Sequence, residues 1–170
     1  MTKLHVVVMG VSGCGKTTIG ELIAAHYKGE FVDADDLHPA SNREKMSQGI
    51  PLTDEDRWPW LDLVGKTLAQ SESIAIACSA LKKSYRQKIL EMCPETLFIH
   101  LHGNRELLHR RMNSRENHFM PSSLLDSQLA TLELLEAGEP GYELDINQTE
   151  DEIVARACSW IDARQAILKR

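Results

Sequence analysis

Apolar residues along this chain follow two rhythms that alternate from one end to the other. Leu4 to Met9 is a largely β-branched run without polar alternation, the signature of a strand buried on both faces of a parallel sheet. Gly10 to Gly15 breaks the run, and from Lys16 onward Ile19, Leu22, Ile23 and Tyr27 recur at helical spacing, with Gly29 as the stop signal. The same unit repeats with different loops. Glu30 to Ala34 predicts a short strand, Ser73 to Ser79 a second buried one, Thr96 to Leu101 the next and Tyr142 to Ile146 the fifth. Helical patterns cover Leu81 to Met92, Arg105 to Met112 and Ser122 to Leu135, and a final helix opens on the capping-box pair Thr149 and Glu152. Such alternation predicts an α/β fold, a doubly wound parallel sheet with right-handed crossovers that gathers its ligands at the carboxyl ends of the strands. Two polar, irregular stretches, Asp35 to Arg57 and Ser114 to Pro121, are expected to be mobile segments over the site.

Composition narrows the picture. The 170 residues, with no internal repeat or linker, fit one domain over 1–170, and 42% hydrophobic content is enough to build a core. A formal charge of −6 argues against polyanionic partners, so neither nucleic acid nor an anionic membrane is expected. The longest apolar stretches fall far short of the roughly 20 residues that span a bilayer. Only Lys3 precedes the first apolar run, with no secretory cleavage pattern, and a cytoplasmic location is expected. Cys14, Cys78, Cys93 and Cys158 show no C-x-x-C spacing and read as free thiols.

The break after the first strand carries the sharpest signal. Gly10-Val11-Ser12-Gly13-Cys14-Gly15-Lys16-Thr17 matches G-x-x-x-x-G-K-[ST] in full, with Thr18 next in line. Its glycines let backbone N–H groups converge on phosphates, Lys16 reaches the β/γ oxygens, and the Thr17 hydroxyl is suited to Mg²⁺. This predicts nucleotide binding without saying what is done with the nucleotide. GTPase switches read guanine through Asn-Lys-x-Asp, and no such string occurs. Asp62 to Gly65 fits D-x-x-G but falls inside a helical stretch. Motor-type ATPases usually end a core strand in Asp, where this chain has Ser79.

The second strand ends in Asp33-Ala34-Asp35-Asp36-Leu37-His38-Pro39. In an extended chain Asp33 and Asp35 point to one side, so that one holds Mg²⁺ through water while the other takes the proton of an attacking hydroxyl; the spacing does not say which. Arg57, Lys82, Lys83 and Arg86 are candidates to bind an anionic group of the acceptor. Arg111 and Arg115, four apart before the polar His118 to Pro121, are candidates for a lid that brings positive charge to the transferring phosphoryl group.

Taken together, GVSGCGKTT, DADDLHPASNREKMSQGIPLTDEDRWPWL, CSALKKSYR, HFMPSSLLDSQLATLE and the late DINQT resemble bacterial gluconokinases of the shikimate-kinase-like group, in the same order from about Val6 to Asn147. The resemblance implies a three-layer P-loop fold with strand order 2-3-1-4-5 and a homodimer that uses ATP and Mg²⁺ to phosphorylate D-gluconate. It also implies residue roles: Mg²⁺ at Thr17 and Asp33, and the acceptor hydroxyl at Asp35. Its carboxylate end would meet Arg57 and the Lys82 to Arg86 segment. His38 and His118 would lie on the acceptor side and Gln148 on the adenine side, with an acceptor-binding segment at about 35–60 and a lid at about 111–124. The alternatives are a related small-molecule or nucleoside monophosphate kinase, or a nucleotide-binding switch without catalysis.

Overall fold

A computed structural model describes residues 3–113 and 122–168. Five parallel strands form one sheet in the order β2-β3-β1-β4-β5: β1 Leu4–Met9, β2 Glu30–Asp33, β3 Ser73–Ala77, β4 Leu97–His102 and β5 Gly141–Asp145. The order is the one the resemblance implied. β1 is central, with Val7 opposite Ile76 of β3 on one side and Phe98 of β4 on the other.

Successive side chains of a strand point to opposite faces, so a strand covered on both faces is a near-continuous apolar run. In β1, Val6 and Val8 enter one core with Ile19, Ile23, Ile99, Leu101, Ile153 and Ile161; Val7 and Met9 enter the other with Trp60, Leu61, Val64, Ile76, Ile89 and Phe98. Helices α1 (Lys16–His26) and α7 (Glu150–Leu168) cover the first face. α3 (Asp54–Gln70) and α4 (Lys83–Met92) cover the second, while α2 (Ala40–Ser47), α5 (Arg105–Asn113) and α6 (Ser122–Thr131) lie on the connections. Gly65 is where α4 crosses α3: a Cβ there would lie 2.6 Å from Met92 Cβ, so the D-x-x-G string serves helix packing. All four cysteines are free and buried. Among the described residues no helix is long and apolar enough to cross a membrane.

Two expectations need correction. Asp35 to Arg57 is not irregular: it holds a 3₁₀ turn (Ala34–Leu37), α2 and the start of α3. Its polar helices are held by ties that periodicity does not reveal. Thr53 and Asp56 form a reciprocal capping box, Lys45 pairs with Asp56 at 2.8 Å, and the Trp60 indole N–H donates to Ala34 O at 2.7 Å. The helix expected over Ser122 to Leu135 ends at Thr131, because the chain beyond it turns to meet α4. Glu133 N–H donates to Leu81 O at 2.7 Å, and Glu133 Oε1 accepts from Lys83 N–H at 3.1 Å.

The same return segment buries a charge pair. Arg86 is wholly buried and donates to both oxygens of Glu139 (2.6 and 3.1 Å), to Ala80 O and to Leu134 O. Burial alone would raise the Glu139 carboxyl, but the Arg86 guanidinium and the Glu136 N–H hold it below its usual range. Glu139→Ala would leave the guanidinium buried without its counter-charge. It is expected to lower the unfolding free energy by about 3–5 kcal/mol, read as a drop in urea midpoint. Arg86→Met with Glu139→Leu should restore much of the loss.

Candidate active site

The phosphate loop leaves β1 at Gly10 and enters α1 through Gly15, which sits in the left-handed region at φ 92° as the helix N-cap; Gly13 takes φ 88°. These turns aim successive N–H groups into one concavity at a helix N-terminus, a ready anion site. Lys16 arches over the loop, its Nζ 2.9 Å from Gly10 O and 3.2 Å from Val11 O. Ser12 N–H donates to Gln128 Oε1 of α6 at 2.7 Å. A cavity of about 230 Å³ opens beside the loop, lined by Gly13, Cys14, Gly15, Thr18, Ile19, Arg111, Glu150 and Ile153. Thr17 is exposed on the first turn of α1. Cys14 is 1% exposed, so its thiol faces the core and not the nucleotide side.

At the end of β2, Asp33 does not continue into an extended chain. Its Oδ1 accepts from Asp35 N–H at 3.0 Å, which folds the backbone into the 3₁₀ turn, so the same-side argument from strand alternation fails. The two carboxylates are neighbours through this turn. Burial raises the Asp33 carboxyl, helped by the charges of Asp35 and Asp36 and opposed by the Asp35 N–H and by Lys16. Burial raises the Cys78 thiol just beyond β3, with smaller contributions from the charges of Asp35, Lys16 and Asp33, which stand at the carboxyl ends of β2 and β1.

His38 follows this turn and is buried against Trp60, ring on ring at 4.2 Å and 13°. Burial, then the nearby Arg43 and Arg57 charges, push it down to about 4. The neutral ring accepts at Nδ1 from Asn42 Nδ2 (3.2 Å), so its proton sits on Nε2, which is left as a donor.

Arg57 and Lys82 do come together, across 25 positions of sequence, because both turn toward Asp54. Lys82 Nζ lies 3.3 Å and Arg57 Nη1 3.7 Å from that carboxylate, and Tyr85 OH donates to it at 2.6 Å. Both cations also lie 5.5 Å from the Tyr85 ring centre. The Tyr85 hydrogen bond, followed by the two cations, holds Asp54 below its usual range. Two cations and one carboxylate leave a net charge of plus one.

The other candidates sit differently. Arg86 faces inward and is committed to Glu139, so it presents no guanidinium to a ligand. Lys83 pairs with Glu136 at the surface. Arg111 reaches the nucleotide cavity and donates to Ile146 O at 2.9 Å. Gln148 donates to Asp145 O at 2.7 Å, shaping the turn after β5, and does not line the cavity. Arg115 and His118 lie outside the described residues. Sequence reasoning missed Asp54, Asn42, Glu150 and Gln128, and it included Tyr85 only as part of the Lys82 to Arg86 segment. Asp54 was hidden in the acidic run Asp54-Glu55-Asp56, where Asp56 does the capping, and Tyr85 looked like one more helix residue. Among the described residues, His5, Cys93 and Glu95 are the one trio of metal-type donors within reach of a shared ion, at the opposite, amino-terminal edge of the sheet.

A phosphate loop at the centre of a 2-3-1-4-5 parallel sheet, faced by carboxylates and a cationic cluster, defines a P-loop kinase fold built for a small acceptor. Comparison with known proteins agrees: residues 12–157 match the shikimate kinase family. A probable gluconokinase of Xenopus tropicalis is 40% identical, with 96% of each chain covered. The thermosensitive gluconokinase of Escherichia coli is 47% identical over 83% of this chain and 78% of its own. A crystal structure of a gluconokinase from Sinorhizobium meliloti superposes with a TM-score of 0.90 at 46% identity, covering 98% of this chain and 96% of that one. The chain belongs to the gluconokinase family, within the shikimate-kinase group.

His38, and His100 in β4, whose burial likewise pushes it down to about 4, are neutral in the fold and ordinary, near 6.5, in the unfolded chain. The unfolded state therefore binds more protons between those values, and the two histidines subtract stability as pH falls from about 6.5 toward 4. Urea midpoints measured across that window should decline with falling pH, and His38→Gln should flatten the slope.

Proposed function

We propose that this protein is a gluconokinase that transfers the γ-phosphoryl group of ATP to a hydroxyl of D-gluconate, giving 6-phospho-D-gluconate and ADP. The observation that carries the reading is near full-length likeness, in sequence and in backbone, to proteins named gluconokinase. The local chemistry agrees. The net positive charge shared by Arg57, Lys82 and Asp54 suits the single carboxylate of a sugar acid, held by charge-assisted hydrogen bonds. The Nε2–H of neutral His38 is a donor for one of its hydroxyls. Arg86 and Lys83 act in this reading by holding the α4 entrance in place.

Lys16 and the loop N–H groups from Val11 to Thr18 grip the phosphates, with Gly10, Gly13 and Gly15 permitting the turns, and Arg111 approaches from α5. Asp35 takes the hydroxyl proton as the bond to phosphorus forms and the bond to the ADP oxygen breaks. The oxygen donors of Thr17 and Asp33 fit Mg²⁺, because the Asp33 carboxyl, raised first by burial and then by the charges of Asp35 and Asp36, is a hard oxygen ligand whose negative charge a divalent cation would stabilise. Bound there, the ion would neutralise phosphate charge during transfer. The one-domain reading rests on chain length and the homodimer on family resemblance, and the cytoplasmic location is the expectation from the sequence.

The direct test is ADP release by the purified protein with ATP and Mg²⁺, comparing gluconate, shikimate, AMP and no acceptor. Gluconate alone should support turnover; turnover with AMP or shikimate instead would discard the acceptor assignment and keep the kinase. Lys16→Ala and Asp35→Asn should each lower kcat by about 10²-fold or more while circular dichroism stays unchanged. Near wild-type turnover in Asp35→Asn would remove Asp35 from the proton-transfer role.

A further inference from the structure

The contact between Ser12 N–H and Gln128 Oε1, at 2.7 Å, spans 116 positions of sequence and falls on a group the loop otherwise aims at phosphate. Gln128 stands on a firm support. Arg105 donates to both oxygens of Asp126 at 2.6 and 3.1 Å, Leu125 is fully buried, and Glu133 ties the far end of α6 to the backbone of Leu81 and Lys83. The orientation of the carboxamide is dictated, since a backbone N–H can only donate and must meet the amide oxygen. The two N–H donors of the same carboxamide are then left beside the phosphate loop.

Phosphate oxygens only accept. One arriving at the loop therefore competes with Oε1 for Ser12 N–H, and is complementary to Nε2–H. We propose that Gln128 is a substrate-contacting catalytic residue, and that its amide changes partners with the nucleotide: Oε1 yields Ser12 N–H to a phosphate oxygen, and Nε2–H donates to the γ-phosphoryl group as it is transferred. A donor held on a fixed helix stabilises charge on the equatorial oxygens without reorganising during the step. This inference rests on the kinase reading above, but its binding test needs no acceptor.

Two variants of the full-length protein decide the matter. Gln128→Met keeps the length of the side chain and loses its polar functions; kcat with gluconate is expected to fall about 10²-fold, with the KM for gluconate little changed and the thermal midpoint preserved. Gln128→Glu keeps an acceptor for Ser12 N–H and puts a negative charge where the γ-phosphoryl group comes. Its affinity for a non-hydrolysable ATP analogue should drop relative to ADP by about tenfold or more, from like-charge repulsion. A Gln128 that only packs α6 would shift both nucleotides alike. A wild-type kcat in the Met variant, or an unchanged ATP-analogue-to-ADP ratio in the Glu variant, overturns the proposal. Were the wild-type protein to leave gluconate unphosphorylated, the gluconokinase reading would fall while the nucleotide ratio still judged Gln128.

Discussion

Everything at this site depends on three stretches of backbone meeting where the phosphate loop has no side chains. A Cβ on Gly10 would lie 2.6 Å from Leu101 O and 2.7 Å from Cys14 Sγ, and one on Gly13 would lie 2.8 Å from Met112 Cγ and 2.9 Å from Leu108 O. The bare loop therefore lets β4 and α5 close directly onto it. That closure sets the wall of the nucleotide cavity, brings Arg111 to its rim and fixes the direction in which α1 starts. A side chain at Gly13 would push α5 outward and move Arg111 with it, whereas one at Gly10 would meet β4 and Cys14.

The second determinant is local charge in a chain that is negative overall. A net −6 would repel both ATP and a sugar acid if it were spread evenly. Instead Lys16 and Arg111 flank the loop, and Arg57 and Lys82 share a single carboxylate. Asp33 and Asp35 stand together at the turn after β2, and Glu150 lines the cavity beside the loop. Keeping His38 neutral belongs to the same arrangement: a charge on this buried ring, the third beside Arg43 and Arg57, would cost free energy, whereas an uncharged ring still donates one hydrogen bond.

Most of the fold was legible because β1, β3 and β4 are buried on both sides and apolar at nearly every position, His5 and His100 being buried exceptions, and because the phosphate loop is itself a strand-to-helix junction. The capping pair Thr149 and Glu152 also marked the start of α7 correctly, with Glu152 N–H donating to Thr149 Oγ1 at 3.1 Å. What escaped were structures made by distant ties. The region from Asp35 to Arg57 looked irregular because α2 has almost no apolar face; its order comes from Lys45–Asp56, His38–Trp60 and the Trp60–Ala34 bond. Arg86 illustrates the same limit within the site. Its place among Lys82, Lys83 and Tyr85 suggested a ligand, and only the return of the chain at Glu139 shows that it points inward.

That return gives the α4 entrance an unusual covalent layout. The entrance of α4, from Ala80 to Arg86, is braced by Glu133, Glu136 and Glu139, about fifty positions later in the chain. The two stretches form one mechanical part encoded in two separate places. Replacing the α4 entrance alone by one without an arginine at position 86 would strand the buried Glu139 carboxylate. Recombination that exchanges this part must therefore carry both stretches together, and a crossover placed between them would cut it in half.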